Sequence, residues 1–251
     1  MRVLMRSIVE TDGIFEAEHF RAAYVRFMTT PGSHNDAYAS TCHRMFFANL
    51  EAGKAPEQCP DNDRHNVDTI DGLVLPTVAA LGAATAAGGS DPNTAAAECV
   101  AVTRDSESLQ KAARVWAGVI AALVTGYNVT DLQAMLDPSA QTLGLQRRPS
   151  SRRADEMSAC YLSDSLQTLF DMLAKYAPAA TGPGGVWRAL LANANVGGEN
   201  VHRGAVLGAA LGAAAGFTNL DRRLVDGLAA KDQLASEIDA FVHASWKRVR
   251  S

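Results

Sequence analysis

Glycine recurs at every fourth position late in the chain, at Gly204, Gly208, Gly212 and Gly216. Residues four apart lie on one side of an α-helix, and alanine and leucine fill much of the remaining surface of this stretch. Each glycine inside a helix costs about 1 kcal/mol relative to alanine, so another interaction must offset the cost. We expect close backbone packing against a neighbouring helix, which makes this helix a buried, central element of the fold.

The same glycine spacing also occurs in membrane helices. The apolar run from Gly204 to Phe217 is nevertheless too short to cross a bilayer, which requires about 20 residues. Helical periodicity continues along most of the chain, and no convincing alternating pattern of a strand accompanies it. The sequence therefore predicts an all-α fold, a compact multi-helix bundle around a buried Gly/Ala-rich helix.

Capping and turn residues mark the ends of the other predicted helices. Residues 106–125 carry the clearest buried stripe, with Ser106 at the start. Ser33 is expected to cap a helix, with Asp36 three residues on, although the polar residues at this point also suit a binding site. Residues 186–191 are expected to form a short helix that ends before Asn193 and leads into a turn.

Length and charge restrict the classes of protein that fit. A chain of 251 residues suits one large helical domain, predicted to span 1–251. The 23 Lys and Arg against 27 Asp and Glu, a net charge of −4, exclude nucleic acid as the main partner. The four cysteines include no C-x-x-C pair, so the sequence predicts no zinc site or disulfide framework, and a reduced, cytoplasmic setting. The helical stripe containing Val3 and Leu4 begins without a cap, so we expect an earlier segment to be absent.

The residues just before the glycine stripe form the densest polar motif. Gly197 and Gly198 can adopt positive φ and let another group approach the backbone closely. Glu199, His202 and Arg203 follow at a helix start, three and four positions apart, so they share one face. An acid beside an imidazole suits proton transfer, metal ligation or a purely structural hydrogen bond, and the residues alone leave these alternatives open.

A second polar region is the loop from residue 55 to 66 and its continuation to Asp71. Its Asp61, Asn62 and Asp63 are superficially similar to a calcium loop, but the later glycine and terminal glutamate of an EF-hand are missing. Ligand-binding groups concentrate in loops, whereas solvated turns use the same residue types. Both interpretations remain open for this loop.

Three segments together resemble the ADP-ribosylglycohydrolase family. The order of Cys160 to Leu166, then Asn193 to His202, then a Gly/Ala helix, resembles its C-terminal half, and residues 101–126 resemble its middle region. The resemblance covers residues 1–228. The runs beginning at His202, His34 and His43 are most similar to the branch that contains the J-type lens crystallins.

The resemblance implies an all-α fold that carries two divalent metal ions, usually magnesium or manganese, at the ADP-ribose end of the scissile bond. The family's ligands come from an early Thr-Asp-Asp run and a late Gly-Gly-Asp-x-Asp-Thr run. In this sequence Glu199 stands in place of the first late Asp, Val201 in place of the second, and His202 in place of the Thr. Valine cannot ligate a hard cation, and the early run lies outside this chain. We therefore expect at most one weak metal position, at Glu199. Arg104 stands where many members have His.

The resemblance thus predicts an ADP-ribosylglycohydrolase-like protein whose ancestral reaction is hydrolysis of an ADP-ribosyl glycosidic bond, with a degraded metal site. Glu199 is the predicted acid or base and His202 its partner. An ADP-ribose-like small molecule or ADP-ribosylated substrate would contact Asn195, Gly197, Gly198, Asn200, His65, Asn66 and Asp68. The alternatives are a non-catalytic nucleotide-binding module, a structural crystallin-like protein, and an incomplete form of an active enzyme. The sequence does not indicate the oligomeric state.

Overall fold

The computed structural model describes residues 1–63, 66–85, 91–146, 148–149, 152 and 154–246. These residues form α-helices and short 3-10 turns, and the only β-type pairings among them are two isolated bridges. The α-helices are α1 (Arg2–Glu10), α2 (Ala17–Thr29), α3 (Thr41–Glu51), α4 (Val74–Ala84), α5 (Pro92–Ala101), α6 (Glu107–Val124), α7 (Leu132–Thr142), α8 (Leu162–Tyr176), α9 (Gly185–Val196), α10 (Asn200–Ala215), α11 (Arg222–Asp226) and α12 (Lys231–Trp246). The all-α prediction is confirmed.

Helices α4, α6, α8 and α10 surround the larger hydrophobic core. Trp116 of α6 is its largest fully buried side chain, and its indole N–H donates to Thr77 Oγ1 of α4 at 3.0 Å. Phe170 of α8 packs against the same indole, with ring centroids 6.1 Å apart. A smaller cluster joins α1, α2 and α3 to α4 and α5. The site described below lies beside this second cluster.

One face of helix α10, formed by apolar residues from the positions between its glycines, is buried. Val206, Leu207, Ala210 and Leu211 are buried there, so the helix is a central element, as predicted. The glycines themselves divide into two groups. A Cβ on Gly204 would lie 2.6 Å from Asn193 Nδ2, and one on Gly208 would lie 3.4 Å from a methyl of Leu190, both on α9.

The other two glycines, Gly212 and Gly216, have no close neighbour that would exclude a Cβ. A Cβ on Gly212 would meet nothing within 4 Å, so packing does not require glycine at this position. Gly216 lies after the last helical residue with φ +74°, a conformation that favours glycine at a helix end. Close packing therefore explains Gly204 and Gly208 only.

Two local predictions are wrong. Ser33 does not cap a helix: its hydroxyl donates to the carbonyl of Phe27 and closes the end of α2, while α3 begins after Ser40. The helix predicted for 186–191 continues to Val196, so Asn193 and Asn195 lie in α9 and not in the turn. The turn consists of Gly197 and Gly198 alone, both at positive φ.

The last described helix, α12, packs across α1 and α4. Glu237 accepts from Arg2 Nε at 2.7 Å and from Arg6 at 2.6 Å, and Phe241 lies over Gly82 of α4. Within the described ranges, no helix combines the length and apolar character that a membrane crossing requires.

Candidate ligand-binding site

The start of α10 is organised by Glu199, which occupies the N-cap position. Its Oε1 accepts from the backbone N–H of His202 at 3.1 Å and lies 2.8 Å from His202 Nδ1. The acid and the imidazole predicted to meet are therefore in contact. One carboxylate oxygen both caps the helix and holds the ring.

The glycine turn before Glu199 lies against residues 157 and 158. Gly198 has φ +67°, and a Cβ on it would lie 2.3 Å from the carbonyl oxygen of Ser158. The N–H of Glu199 donates to that same oxygen at 2.9 Å. Only glycine permits both the conformation and the approach, so the glycine requirement inferred from the sequence has a structural cause here.

Arg203 turns away from Glu199 and His202 and is fully buried. Its Nε donates to Asn193 Oδ1 at 2.7 Å, and its terminal nitrogens donate to Ser158 Oγ at 2.7 Å and the Gly197 carbonyl at 3.1 Å. Asn193 in turn donates to the carbonyl of Asn200 at 2.7 Å. Burial lowers the pKa of Arg203, and the charge of Glu199 opposes this shift. These bonds join α9, the glycine turn and α10 into one unit.

His202 faces a cavity of about 520 Å³ between α1, α2, the starts of α3, α4 and α10, and the end of α5. Most of the lining is apolar or aromatic, from Leu4, Phe20, Tyr24, Phe27, Met28, Val74 and Leu75. Several titratable side chains line the same cavity, among them Asp36, and we give the name polar wall to four of them, His43, Asp71, Arg104 and His202. A largely apolar cavity of this size with a few convergent polar groups is typical of a small-molecule site.

Asp71 and Arg104 form an ion pair in the polar wall. Arg104 donates to Asp71 Oδ2, and its other terminal nitrogen donates to the Val67 carbonyl and to Thr69 Oγ1, both at 2.8 Å. Burial raises the pKa of Asp71, but Arg104, the hydroxyl of Thr69 and the charge of His202 outweigh it, so this pKa lies below its ordinary value. Burial lowers the pKa of Arg104, but the Cys42 thiol and Asp71 raise it overall. Asp71 is therefore held as a carboxylate on the cavity surface.

His43 completes the polar wall from α3. Its Nδ1 lies 2.8 Å from the hydroxyl of Tyr24. Burial and the positive charge of Arg104 lower the pKa of His43, although Asp71 acts in the opposite direction. Burial also raises the pKa of Tyr24. The polar wall thus holds a neutral imidazole beside a carboxylate.

The other predicted ligand-binding residues that the structure describes are not part of this cavity's lining. Asn195 is exposed on α9, and Asn200 donates to the carbonyl of Ala194 at 3.1 Å. Asn66 has φ +60°, and Asp68 accepts from Ser106, the N-cap of α6. His65 lies outside the described residues. The structure brings Glu199 and His202 together and places His202 in the cavity lining, whereas Asp68 and Asn200 bond other groups of the protein.

Residues 158–162 bond both the loop that carries Asp68 and the start of α10. Leu162 donates to the Asp68 carbonyl, and Ile70 donates to the Cys160 carbonyl, each at 3.0 Å. Two residues earlier, Ser158 bonds the Glu199 backbone and the Arg203 side chain. Residues 158–162 therefore connect the two polar regions that the sequence singled out.

Sequence reasoning assigned no site role to His43 or Asp71 and treated Arg104 only as a departure from the family's pattern. Asp71 and Arg104 are 33 positions apart, and no local pattern connects them. The available signal was the unusual presence of an arginine within the run 101–105, which predicts a buried acid partner but not its identity.

Comparison with known proteins agrees with this description. A solved structure, titled an ADP-ribosylglycohydrolase-related protein complex, matches with a TM-score of 0.67 and 18% identity, over 98% of this chain and 78% of that chain. This similarity places the chain in the same fold class. No curated protein matches the sequence significantly. The family model for ADP-ribosylglycohydrolase matches residues 1–249, and the chain belongs to that family.

The residues present do not fit the two-metal centre that this family implies. Magnesium and manganese favour several oxygen ligands, whereas Val201 offers no donor atom and is 70% exposed. Glu199 Oε1 is already occupied by two bonds from His202. Throughout the described ranges, no group of three or more His, Cys, Asp or Glu side chains lies close enough together to hold a metal ion. A single weak position at Glu199 stays a prediction.

Proposed function

We propose that this chain binds an ADP-ribose-like small molecule, or the ADP-ribosyl group of a modified substrate, in the cavity faced by His202. The ancestral reaction is hydrolysis of an ADP-ribosyl glycosidic bond, and its two-metal centre is degraded here. The single observation that carries the proposal is that the family's late motif delivers His202 to a cavity of about 520 Å³, which the Asp71–Arg104 ion pair also lines.

The size and lining of the cavity support a nucleotide-like ligand. Small-molecule sites commonly measure about 300–1,000 Å³ and combine apolar walls with a few fixed polar groups. The aromatic side chains of Phe20, Tyr24 and Phe27 suit a base or a sugar face. The polar wall supplies groups that bond hydroxyls.

Donor chemistry supports the loss of the metal-dependent step. In the family the metal ions polarise the scissile bond, and that function requires hard oxygen ligands at positions where this chain has Val201 and His202. What this chain's own residues supply is a carboxylate and an imidazole 2.8 Å apart. Glu199 and His202 are therefore the proposed acid–base pair for any proton transfer. Asn195, Gly197, Gly198, Asn200, His65, Asn66 and Asp68 stay as proposed contacts of the ligand.

Isothermal titration of the purified chain with ADP-ribose tests the proposal, once in EDTA and once with excess magnesium or manganese. We expect saturable binding with the same dissociation constant in both conditions. An assay for released ADP-ribose on an ADP-ribosylated substrate follows, with no rate increase expected from metal. Binding that requires metal would contradict the degraded centre.

A second candidate is a structural protein, similar to the J-type crystallins. The observation that favours it is that Arg203, Asn193 and Ser158 satisfy one another at the head of α10 without any ligand. A purely structural protein would give no saturable heat with ADP-ribose in either condition. The same titration therefore separates the two candidates.

A further inference from the structure

We propose that His202, and not Glu199, is the member of the acid–imidazole pair that contacts the bound ribosyl group, and that Glu199 is its positioning residue. This reverses the roles that the sequence suggests. The inference rests on the proposed function, because it requires a ligand in the cavity.

The first argument is access to the cavity. His202 lines the cavity together with Asp71 and Arg104, and Glu199 is not among the described residues that line it. The side chain of Glu199 is 21% exposed and that of His202 is 47% exposed. The ring therefore lies between the acid and the space where a ligand fits.

The second argument is the tautomer of the ring. Glu199 Oε1 already accepts from the backbone N–H of His202, and an ionised carboxylate has no proton to donate. The bond of 2.8 Å between Nδ1 and the same oxygen therefore places the ring proton on Nδ1. In a neutral ring, Nε2 then carries a lone pair. Glu199 thus fixes both the direction of the ring and its free nitrogen as an acceptor.

The third argument is the chemistry of the two groups that line the cavity together with His202. Asp71 is a carboxylate, and the terminal nitrogens of Arg104 donate to the protein's own Val67, Thr69 and Asp71. Asp71 and, when its ring is neutral, Nε2 of His202 both present acceptors to the cavity. Two such acceptors match a group rich in hydroxyl donors, such as a ribose diol, better than they match a phosphate.

Calorimetric titration of His202→Gln with two probes, ADP-ribose and ADP, tests the contact. Losing one well-placed hydrogen bond should weaken ADP-ribose binding about tenfold. ADP lacks the second ribose, so its affinity should not change. His243→Gln, an exposed histidine on α12, is the matched control and should bind both probes like the unmodified chain.

Glu199→Asp tests the positioning role. Aspartate is among the preferred N-cap residues, so the helix stays capped, but the shorter side chain cannot also hold Nδ1 at the same distance. We expect about a fivefold loss of ADP-ribose affinity with an unchanged thermal midpoint. If affinity and midpoint fall together, Glu199 is only a cap and the positioning role is wrong.

Nitrogen-15 NMR of the imidazoles provides a test without ligand. At about pH 8.5, where histidine side chains are ordinarily neutral, the unmodified chain should show His202 as the Nδ1–H tautomer, and Glu199→Asp should show a mixture. A dominant Nε2–H tautomer in the unmodified chain would overturn the inference.

The outcomes separate this inference from the function on which it rests. If the unmodified chain binds ADP-ribose and His202→Gln binds it equally well, the inference fails while the proposed function stands. If the unmodified chain gives no saturable heat, both fail.

Discussion

Among the residues that the structure describes, two arginines are almost completely buried, and their surroundings differ in kind. Arg203 is 0% exposed and bonds only neutral oxygens, from Asn193, Ser158 and Gly197. Arg104 is 4% exposed and shares its guanidinium between neutral oxygens and the carboxylate of Asp71. Arg203 lies at the joint of α9 and α10, whereas Arg104 lies on a cavity surface.

The difference indicates that the polar region around Arg203 has a structural role, whereas the polar region around Arg104 is available to a ligand. Arg203 bonds Asn193, Ser158 and Gly197, and together these groups fix the glycine turn that precedes α10. The ion pair of Arg104 instead leaves Asp71 partly exposed, at 21%, beside His202.

Arg203→Met should have the largest effect on stability. It leaves the buried oxygens of Asn193, Ser158 and Gly197 without their donor, and each unpaired group costs about 1–3 kcal/mol. We expect the free energy of unfolding to fall by about 4 kcal/mol, measured by urea denaturation followed by circular dichroism.

The control for that substitution is Arg222→Met. Arg222 pairs with Asp226 at 2.9 Å on the surface of α11, with its side chain 73% exposed. Exposed pairs contribute little, so no measurable change is expected. Equal losses in the two variants would show that the Arg203 network is not a structural joint.

Asp71→Asn should have the next largest effect on stability, because Arg104 is then buried without its counter-charge. We expect a loss of about 2 kcal/mol in the free energy of unfolding at pH 7. The loss should depend on pH. The folded-state pKa of Asp71 is lowered, so its stabilisation is fully present above about pH 4, the ordinary pKa, and disappears as the pH falls through the lower folded-state value. Urea titrations at pH 7, 5 and 3 should show a constant difference from the unmodified chain that shrinks only at pH 3. A difference that stays constant to pH 3 would mean that the carboxylate charge is not what Arg104 requires.

A matched pair of glycine substitutions sharpens the comparison along α10 itself. A methyl group at Gly204 would press on Asn193, the partner of Arg203, so Gly204→Ala should destabilise the fold by about 1.5 kcal/mol. Gly212 has open space around it, so Gly212→Ala should stabilise the fold by about 1 kcal/mol through helix propensity. Thermal midpoints that move in the same direction would contradict the division of the glycines.

Local patterns were sufficient to predict the elements that local chemistry determines. The helix predicted to begin at Ser106 begins at Glu107, and Ser106 caps it by accepting from the Leu109 N–H at 3.0 Å, a bond that spans only three residues. The contact of Glu199 with His202 followed from the same spacing. Ser33 was misassigned because its hydroxyl can close the preceding helix as easily as open the next one.

Long-range geometry could not be inferred in this way. Asn193 satisfies Arg203 from within α9, and nothing in its neighbours shows that the helix continues past it. The pairing of Asp71 with Arg104 depends on how α5 and the loop before α4 come together. Residues that act within one turn of chain were predictable, and those whose partners come from another element were not.

The most direct test of the central claim compares the two arginines in one NMR experiment. The side-chain Nε–H resonances of Arg104 and Arg203 would be followed while ADP-ribose is added to the unmodified chain in EDTA. A ligand in the cavity should shift Arg104 progressively to saturation and leave Arg203 unchanged. Shifts confined to Arg203, or no shift at either residue at saturating ADP-ribose, would contradict the assignment of the polar wall as the binding surface.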